Sequence, residues 1–153
     1  HDLNWLFDVE GKGDNGISKF YNTIDTVVIG RTTYDWIMDQ GSDFPYQDKA
    51  CYVFSRTYES ESEFVTFLDK DIVAFTQDLK KRDGKNIWIM GGGELISHFI
   101  NESLIDEIIV TIAPVLLGSG INLFRETDVQ TNLHLIDINR YNQFVELRYE
   151  VKK

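Results

Sequence analysis

Three apolar runs in this sequence end in residues able to bind an anion. One ends Ile29-Gly30-Arg31-Thr32-Thr33, a second Phe54-Ser55-Arg56-Thr57, and a third Met90-Gly91-Gly92-Gly93-Glu94-Leu95. Arginine carries a fixed charge and a planar fork of donors suited to a phosphate monoester. The hydroxyls of Thr32, Ser55 and Thr57 add neutral donors. A glycine run between a strand and a helix lets a phosphate approach the backbone, where the first helical turn offers free N–H groups and a positive dipole end. Taken singly, each of these ends reads as well as a solvated arginine or a tight turn. Three in one small chain favour a single anion-binding rim, provided the elements before them lie side by side.

The pattern of the chain predicts those elements. Thr26-Val27-Val28-Ile29, a β-branched run stopped by Gly30, reads as a buried strand, with Thr32 to Met38 as a helix opening directly off it. Ala50 to Ser55 reads as a second buried strand and Phe64 to Phe67 as a shorter third. Asp71 is the expected N-cap of a helix that places Ile72, Phe75 and Leu79 on one face and lysines near its end. Ile87 to Met90 is another buried strand, followed by a helix whose face carries Leu95, Ile96, Phe99 and Ile100. Ser18 caps a short early helix that includes Phe20 and Tyr21. Ile108 to Ile112 is a further strand. The segments Leu133 to Ile138 and Phe144 to Val151 alternate apolar and polar residues, as an antiparallel hairpin with one wet face does. The whole predicts a single three-layer α/β/α domain over residues 1–153, with a mainly parallel sheet and an antiparallel C-terminal hairpin. Ligands of such sheets bind beyond the carboxyl ends of the strands.

Composition narrows the classes of partner. The chain has 153 residues and a net charge of -10, with 42% hydrophobic residues, enough for a sizeable core. The acidic balance argues against nucleic acid and against an anionic membrane surface. No apolar run approaches the roughly 20 residues of a membrane helix, and no signal peptide is visible. The single cysteine, Cys51, excludes an internal disulfide and a multi-thiolate metal site and fits a reducing cytoplasm. Two arginines at strand ends of so acidic a chain make a local positive spot for a polyanionic ligand.

The sequence resembles the dihydrofolate-reductase-like superfamily, and within it the C-terminal reductase domain of bacterial bifunctional riboflavin deaminase-reductases. The resemblance rests on Val28 to Tyr34, Val53 to Thr57, Ile87 to Leu95 and Leu104 to Ile108, continuing through Ala113-Pro114-Val115-Leu116-Leu117-Gly118-Ser119-Gly120 to Leu123-Phe124. It implies a reductase using NADPH, acting on a small heterocycle, first among them 5-amino-6-(5-phosphoribosylamino)uracil. It implies that Gly30, Arg31 and Thr32 line the pyrophosphate and adenosine side, that Ser55 and Arg56 meet the 2′-phosphate, and that Thr57 belongs to the cofactor site beside them. Gly91, Gly92, Gly93 and Glu94 then cradle the pyrophosphate and nicotinamide ribose, with a cis peptide between Gly91 and Gly92 and with Leu95 next in the cofactor site, and Leu117, Gly118 and Gly120 border the substrate. A homodimer is implied as well, and edge strands such as the C-terminal hairpin invite pairing. The family's usual first strand would lie before His1. No deaminase domain is present in the sequence.

The proton source is less marked. Asp14 stands roughly where folate reductases keep their carboxylate, with a solvated loop aspartate as the alternative; Glu94 reads as serving the helix dipole. Cys51 reads as core, Trp5, Trp36 and Trp88 as core, and His98 as partly buried structure. His1 and His134 are not spaced with His98 for metal binding, so no metal is expected. Phe44, Pro45 and Tyr46 are rim residues that could cover the cofactor. Two alternatives remain: dihydrofolate reduction, disfavoured by Ile96-Ser97 where folate reductases carry an aromatic, and an NADP-binding protein without catalysis.

Overall fold

The structure, a computed structural model, describes residues 16–40, 44–56, 64–69, 71–120 and 123–153. These form two compact units.

The unit Asn22–Leu104 with Leu123–Asp128 is built on a four-stranded sheet in the order β3-β2-β1-β4, every pairing parallel. Its strands are β1 (Ile24–Gly30), β2 (Ala50–Phe54), β3 (Thr66–Leu68) and β4 (Asn86–Gly91). β1 lies between two neighbours and between helices, so it is buried on both faces. That is why its sequence is a continuous rather than alternating apolar run. Ile24, Val27, Val28 and Ile29 are almost completely excluded from solvent, each contributing roughly 1.5–3 kcal/mol.

The helices follow from the connections. They are α1 (Ile17–Tyr21), α2 (Arg31–Met38), α3 (Ile72–Lys81) and α4 (Gly93–Asn101). The step β1–α2–β2 moves one way across the sheet and β3–α3–β4 moves back. Right-handed crossovers then place α2 and α3 on opposite faces. Ring contacts agree: Tyr34 of α2 meets Phe67 of β3 edge-on at 5.4 Å, while Phe75 of α3 meets Tyr52 and Phe54 of β2 at 4.9 and 5.6 Å. The α3 N-cap is Asp71, as expected, its side chain accepting a hydrogen bond from the Val73 N–H at 3.0 Å. Lys80 and Lys81 occupy its last turn.

Some expectations fail here for a local reason. Trp36 lies on the exposed side of α2. It follows the buried Tyr34 by two residues, which on a helix is the opposite face. Phe44 is buried against Tyr34 and Tyr46, and so belongs to the core and not to a cover over the rim. His98 is exposed on α4. Trp88 is half-buried, edge-on to Tyr46. Cys51 is core, as expected; burial, with Asp48 nearby, pushes its thiol up to about 11, so it stays protonated at neutral pH.

The other unit carries α1 and an antiparallel sheet in the order β5-β7-β6. Its strands are β5 (Glu107–Ile112), β6 (Leu133–Tyr141) and β7 (Phe144–Val151). Asn142, at φ +56°, opens the two-residue turn between β6 and β7, where asparagine tolerates positive φ. The register shifts between Leu135 and Asp137, so Ile136 is an inserted residue. This insertion changes the phase of the alternation. Leu133, Leu135, Ile138 and Arg140 come to share one face with Val145, Leu147, Tyr149 and Val151, while Asp137 and Asn139 share the other with Glu146 and Arg148. The hairpin therefore has one mainly apolar and one polar face, as its sequence suggests, but only because of the bulge. The additional first strand implied by the resemblance has no counterpart among the described residues.

Candidate functional site

Adjacent parallel strands β1 and β4 both end in glycine and run straight into helices. Gly30 is the N-cap of α2 and Gly92 the N-cap of α4, and neither helix has a side-chain cap. Both helices thus present first-turn N–H groups and a positive dipole end at one rim of the sheet. The two turns touch. A Cβ added to Gly30 would lie 3.3 Å from the Gly91 carbonyl oxygen and 3.4 Å from the Gly92 nitrogen. One added to Gly92 would lie 3.3 Å from Thr33 Oγ1. Gly91 has φ +128°, a conformation other residues seldom adopt, and the Gly91–Gly92 peptide is cis, as the resemblance implied. Glycine suits Gly30 because a side chain there would press on backbone, Gly92 because it would press on the Thr33 hydroxyl, and Gly91 because of its backbone angle.

The cationic part of the rim is Arg31. Its Nε donates to Asp35 Oδ1 at 2.8 Å, its Nη1 lies 3.5 Å from Ser55 Oγ, and its guanidinium carbon is 5.4 Å from the centre of the Phe67 ring. The side chain is therefore laid from the end of β1 toward the ends of β2 and β3. Asp35 fixes one side of the fork, and the ring supports its plane. Ser55 is buried, its N–H donating to the Leu68 carbonyl at 2.9 Å, so its hydroxyl sits at a fixed point between β2 and Arg31.

The sequence-predicted residues distribute as follows. Gly30, Arg31, Ser55, Gly91, Gly92 and Gly93 are brought to one rim by the strand order. Thr32, Arg56 and Glu94 are exposed beside them. The Leu95 side chain packs into the core, leaving only its backbone for a ligand. Leu117, Gly118 and Gly120 lie in an exposed loop of the other unit, Gly118 at φ +79°. Asp14 and Thr57 fall outside the described residues.

Sequence reasoning passed over two residues, Phe67 and Arg125. Phe67 looked like strand filling. Arg125 follows Leu123-Phe124, well away in sequence from any glycine turn, yet its Cγ and Nε stand 3.5 Å from where a Gly93 Cβ would be. No pattern in the sequence links the two positions.

Chemically, this rim has the donors and the space to receive an extended anion. It offers two uncapped helix starts, glycines that admit close approach, a supported guanidinium and a fixed hydroxyl.

Comparisons with known proteins bear on this geometry. A family model described as the RibD C-terminal domain matches residues 23–146. Two Bacillus subtilis (strain 168) proteins, both named only as uncharacterized, are similar. YwjB is 49% identical, over 96% of this chain and 85% of its own length. YyaP is 34% identical, over 86% of this chain and 76% of its own. Among solved structures, a Shewanella sp. PV-4 protein described as a candidate riboflavin biosynthesis protein superposes with a TM-score of 0.87 at 29% identity, over 99% of this chain and 89% of that one. RibD of Acinetobacter baumannii superposes at 0.70 and 19% identity, over 94% of this chain and 52% of that one, which shows a common fold.

Proposed function

Because this chain belongs to the RibD C-terminal domain family, a family of NADPH-dependent reductases, we propose that it binds NADPH at the rim of its parallel sheet and reduces a small heterocycle. The substrate class is a phosphoribosylamino-pyrimidine of the riboflavin pathway, in a cytoplasmic setting. The observation that carries the reading is the pair of uncapped helix starts held in contact at Gly30 and Gly91–Gly92, with Arg31 and Ser55 alongside. In this assignment the glycine turns and helix starts hold the pyrophosphate, while Ser55 and Arg56 hold the 2′-phosphate of the adenosine ribose. Bound NADPH supplies the hydride. The chain's own contribution is to position the cofactor.

Calorimetric titration with NADPH and NADH, followed by an assay of NADPH consumption with the phosphoribosylamino-pyrimidine, tests this. NADPH binds more tightly than NADH, and Arg56→Ala narrows that preference by about tenfold, the scale of one charge-assisted hydrogen bond. Failure of the wild-type protein to bind NADPH overturns the reading. Binding without turnover on the pyrimidine removes that substrate, and binding without turnover on any small heterocycle restricts the reading to a nucleotide-binding protein.

A second copy of the chain is the partner we propose. Ile112, Leu133, Leu135 and Ile138 share one sheet face and are all exposed, Ile138 at 59%. Apolar sheet faces pack on one another about 10 Å apart, and a two-fold axis lets one face serve both copies. Sedimentation equilibrium is expected to give twice the chain mass for the wild type and the single mass for Ile138→Glu. A monomeric wild type removes this proposal.

A further inference from the structure

We infer that Arg125 is an additional pyrophosphate contact of the cofactor site, resting on Glu94 until the dinucleotide arrives. This inference depends on the NADPH reading above and adds to it a residue from a distant stretch of the chain.

The placement of Arg125 is specific. The short segment Leu123–Asp128 joins the compact unit of the parallel sheet, while the chain before and after it joins the other unit. It is tied down at the far end of α4, where the Asp128 N–H donates to Asn101 Oδ1 at 2.9 Å. From there Arg125 reaches back to the start of the same helix. Its stem runs over Gly93, in the space a side chain would otherwise narrow. Its Nη1 stops 3.8 Å from Glu94 Oε2, and both side chains are mostly exposed.

The electrostatics make this an odd resting place. A cation is disfavoured at the positive end of a helix, where an anion belongs. The exposed Arg125–Glu94 pair is too long and too solvated to hold the guanidinium firmly. A phosphate at the α4 start reverses the sign of the local field. It offers the fork a stronger acceptor than the carboxylate and is itself held by the first-turn N–H groups. The side chain needs only to turn at its tip, because its stem is already laid over Gly93. Glu94 then acts as a competitor for the guanidinium, so binding exchanges one ion pair for a better one.

The test is calorimetric titration of the full chain and its variants with two probes, NADPH and adenosine 2′-monophosphate, the second carrying the 2′-phosphate and neither phosphate of the pyrophosphate. Arg125→Gln is expected to weaken NADPH roughly tenfold and to leave adenosine 2′-monophosphate unchanged. Arg125→Lys recovers part of the loss, since it keeps the charge and lacks the fork. Glu94→Gln tightens NADPH a few-fold by removing the competitor. Melting temperatures without ligand stay at the wild-type value, because the exposed pair adds little to stability. If Arg125→Gln binds NADPH like the wild type, this inference fails and the cofactor reading stands. If it loses adenosine 2′-monophosphate in equal measure, the pyrophosphate assignment is wrong. If Glu94→Gln weakens NADPH, the carboxylate is a contact and not a competitor, and the exchange is wrong. If the wild type binds no NADPH at all, the reading beneath both fails.

Discussion

Gly91→Ala is expected to abolish measurable NADPH binding and to lower stability by roughly 1–3 kcal/mol, the cost of holding an L-residue in a backbone conformation that favours glycine. Gly91 sits at φ +128°, in direct contact with the Gly30 turn. Space is not the difficulty, since the added methyl would meet only Ile96 Cδ1, at 3.6 Å. The backbone angle is. Relief requires the turn to move, and that turn carries the start of α4 and abuts the start of α2. A chain of this length loses about 2–4 °C in melting temperature for each kcal/mol, so calorimetry resolves the change. Gly93→Ala is the matched control. Its methyl meets only the flexible Arg125 side chain, at ordinary contact distance, and the substitution suits a helical position. It is expected to melt at or above the wild-type temperature. A Gly91→Ala protein that melts and binds NADPH like the wild type would refute the role given to the turn.

Arg31→Ala is expected to weaken NADPH by about ten- to a hundredfold, the range for a lost charge-assisted contact to phosphate, while costing little stability. Beside its long contact with Ser55 Oγ at 3.5 Å, two contacts that it gives up in the free protein are modest. An i,i+4 ion pair with Asp35, whose carboxylate is half-exposed, is worth about 0.3–0.5 kcal/mol, and the guanidinium over Phe67 about 0.5–1 kcal/mol. Ligand loss and stability loss therefore separate, which they do not for Gly91→Ala. Arg31→Lys keeps the charge without the planar fork that reaches Asp35 and Ser55 together. It is expected to recover less than half of the lost binding free energy. Undiminished NADPH affinity in Arg31→Ala, measured by titration, would remove Arg31 from the site.

The elements of the parallel sheet were legible because their causes are local. The β-branched run before Gly30, the Asp71 cap and the lysines closing its helix each act within a few residues. The three anion-friendly ends could be read for the same reason: a glycine or arginine at a strand-to-helix junction has a meaning that needs no distant partner. The resemblance carried the cis Gly91–Gly92 peptide, which no propensity predicts. Local pattern misled at Trp36 and Phe44. An aromatic residue satisfies a core pattern equally well on either helix face, and a residue beside proline reads as loop even when it fills the core.

By itself, then, the amino-acid order determined which segments are strands and helices and which of their ends can attract phosphate. Those properties arise from steric and electrostatic effects that decay within a turn or two. Only the tertiary structure decided that β1 stands between β2 and β4, bringing Gly30 against Gly91–Gly92 and Arg31 beside Ser55. The same holds for the bulge at Ile136, which makes the C-terminal hairpin two-faced, and for Arg125, laid over Gly93 from a segment some thirty residues on. Strand order, register and the docking of remote segments are set by competition among pairings across the whole chain, and no short window of residues contains that competition.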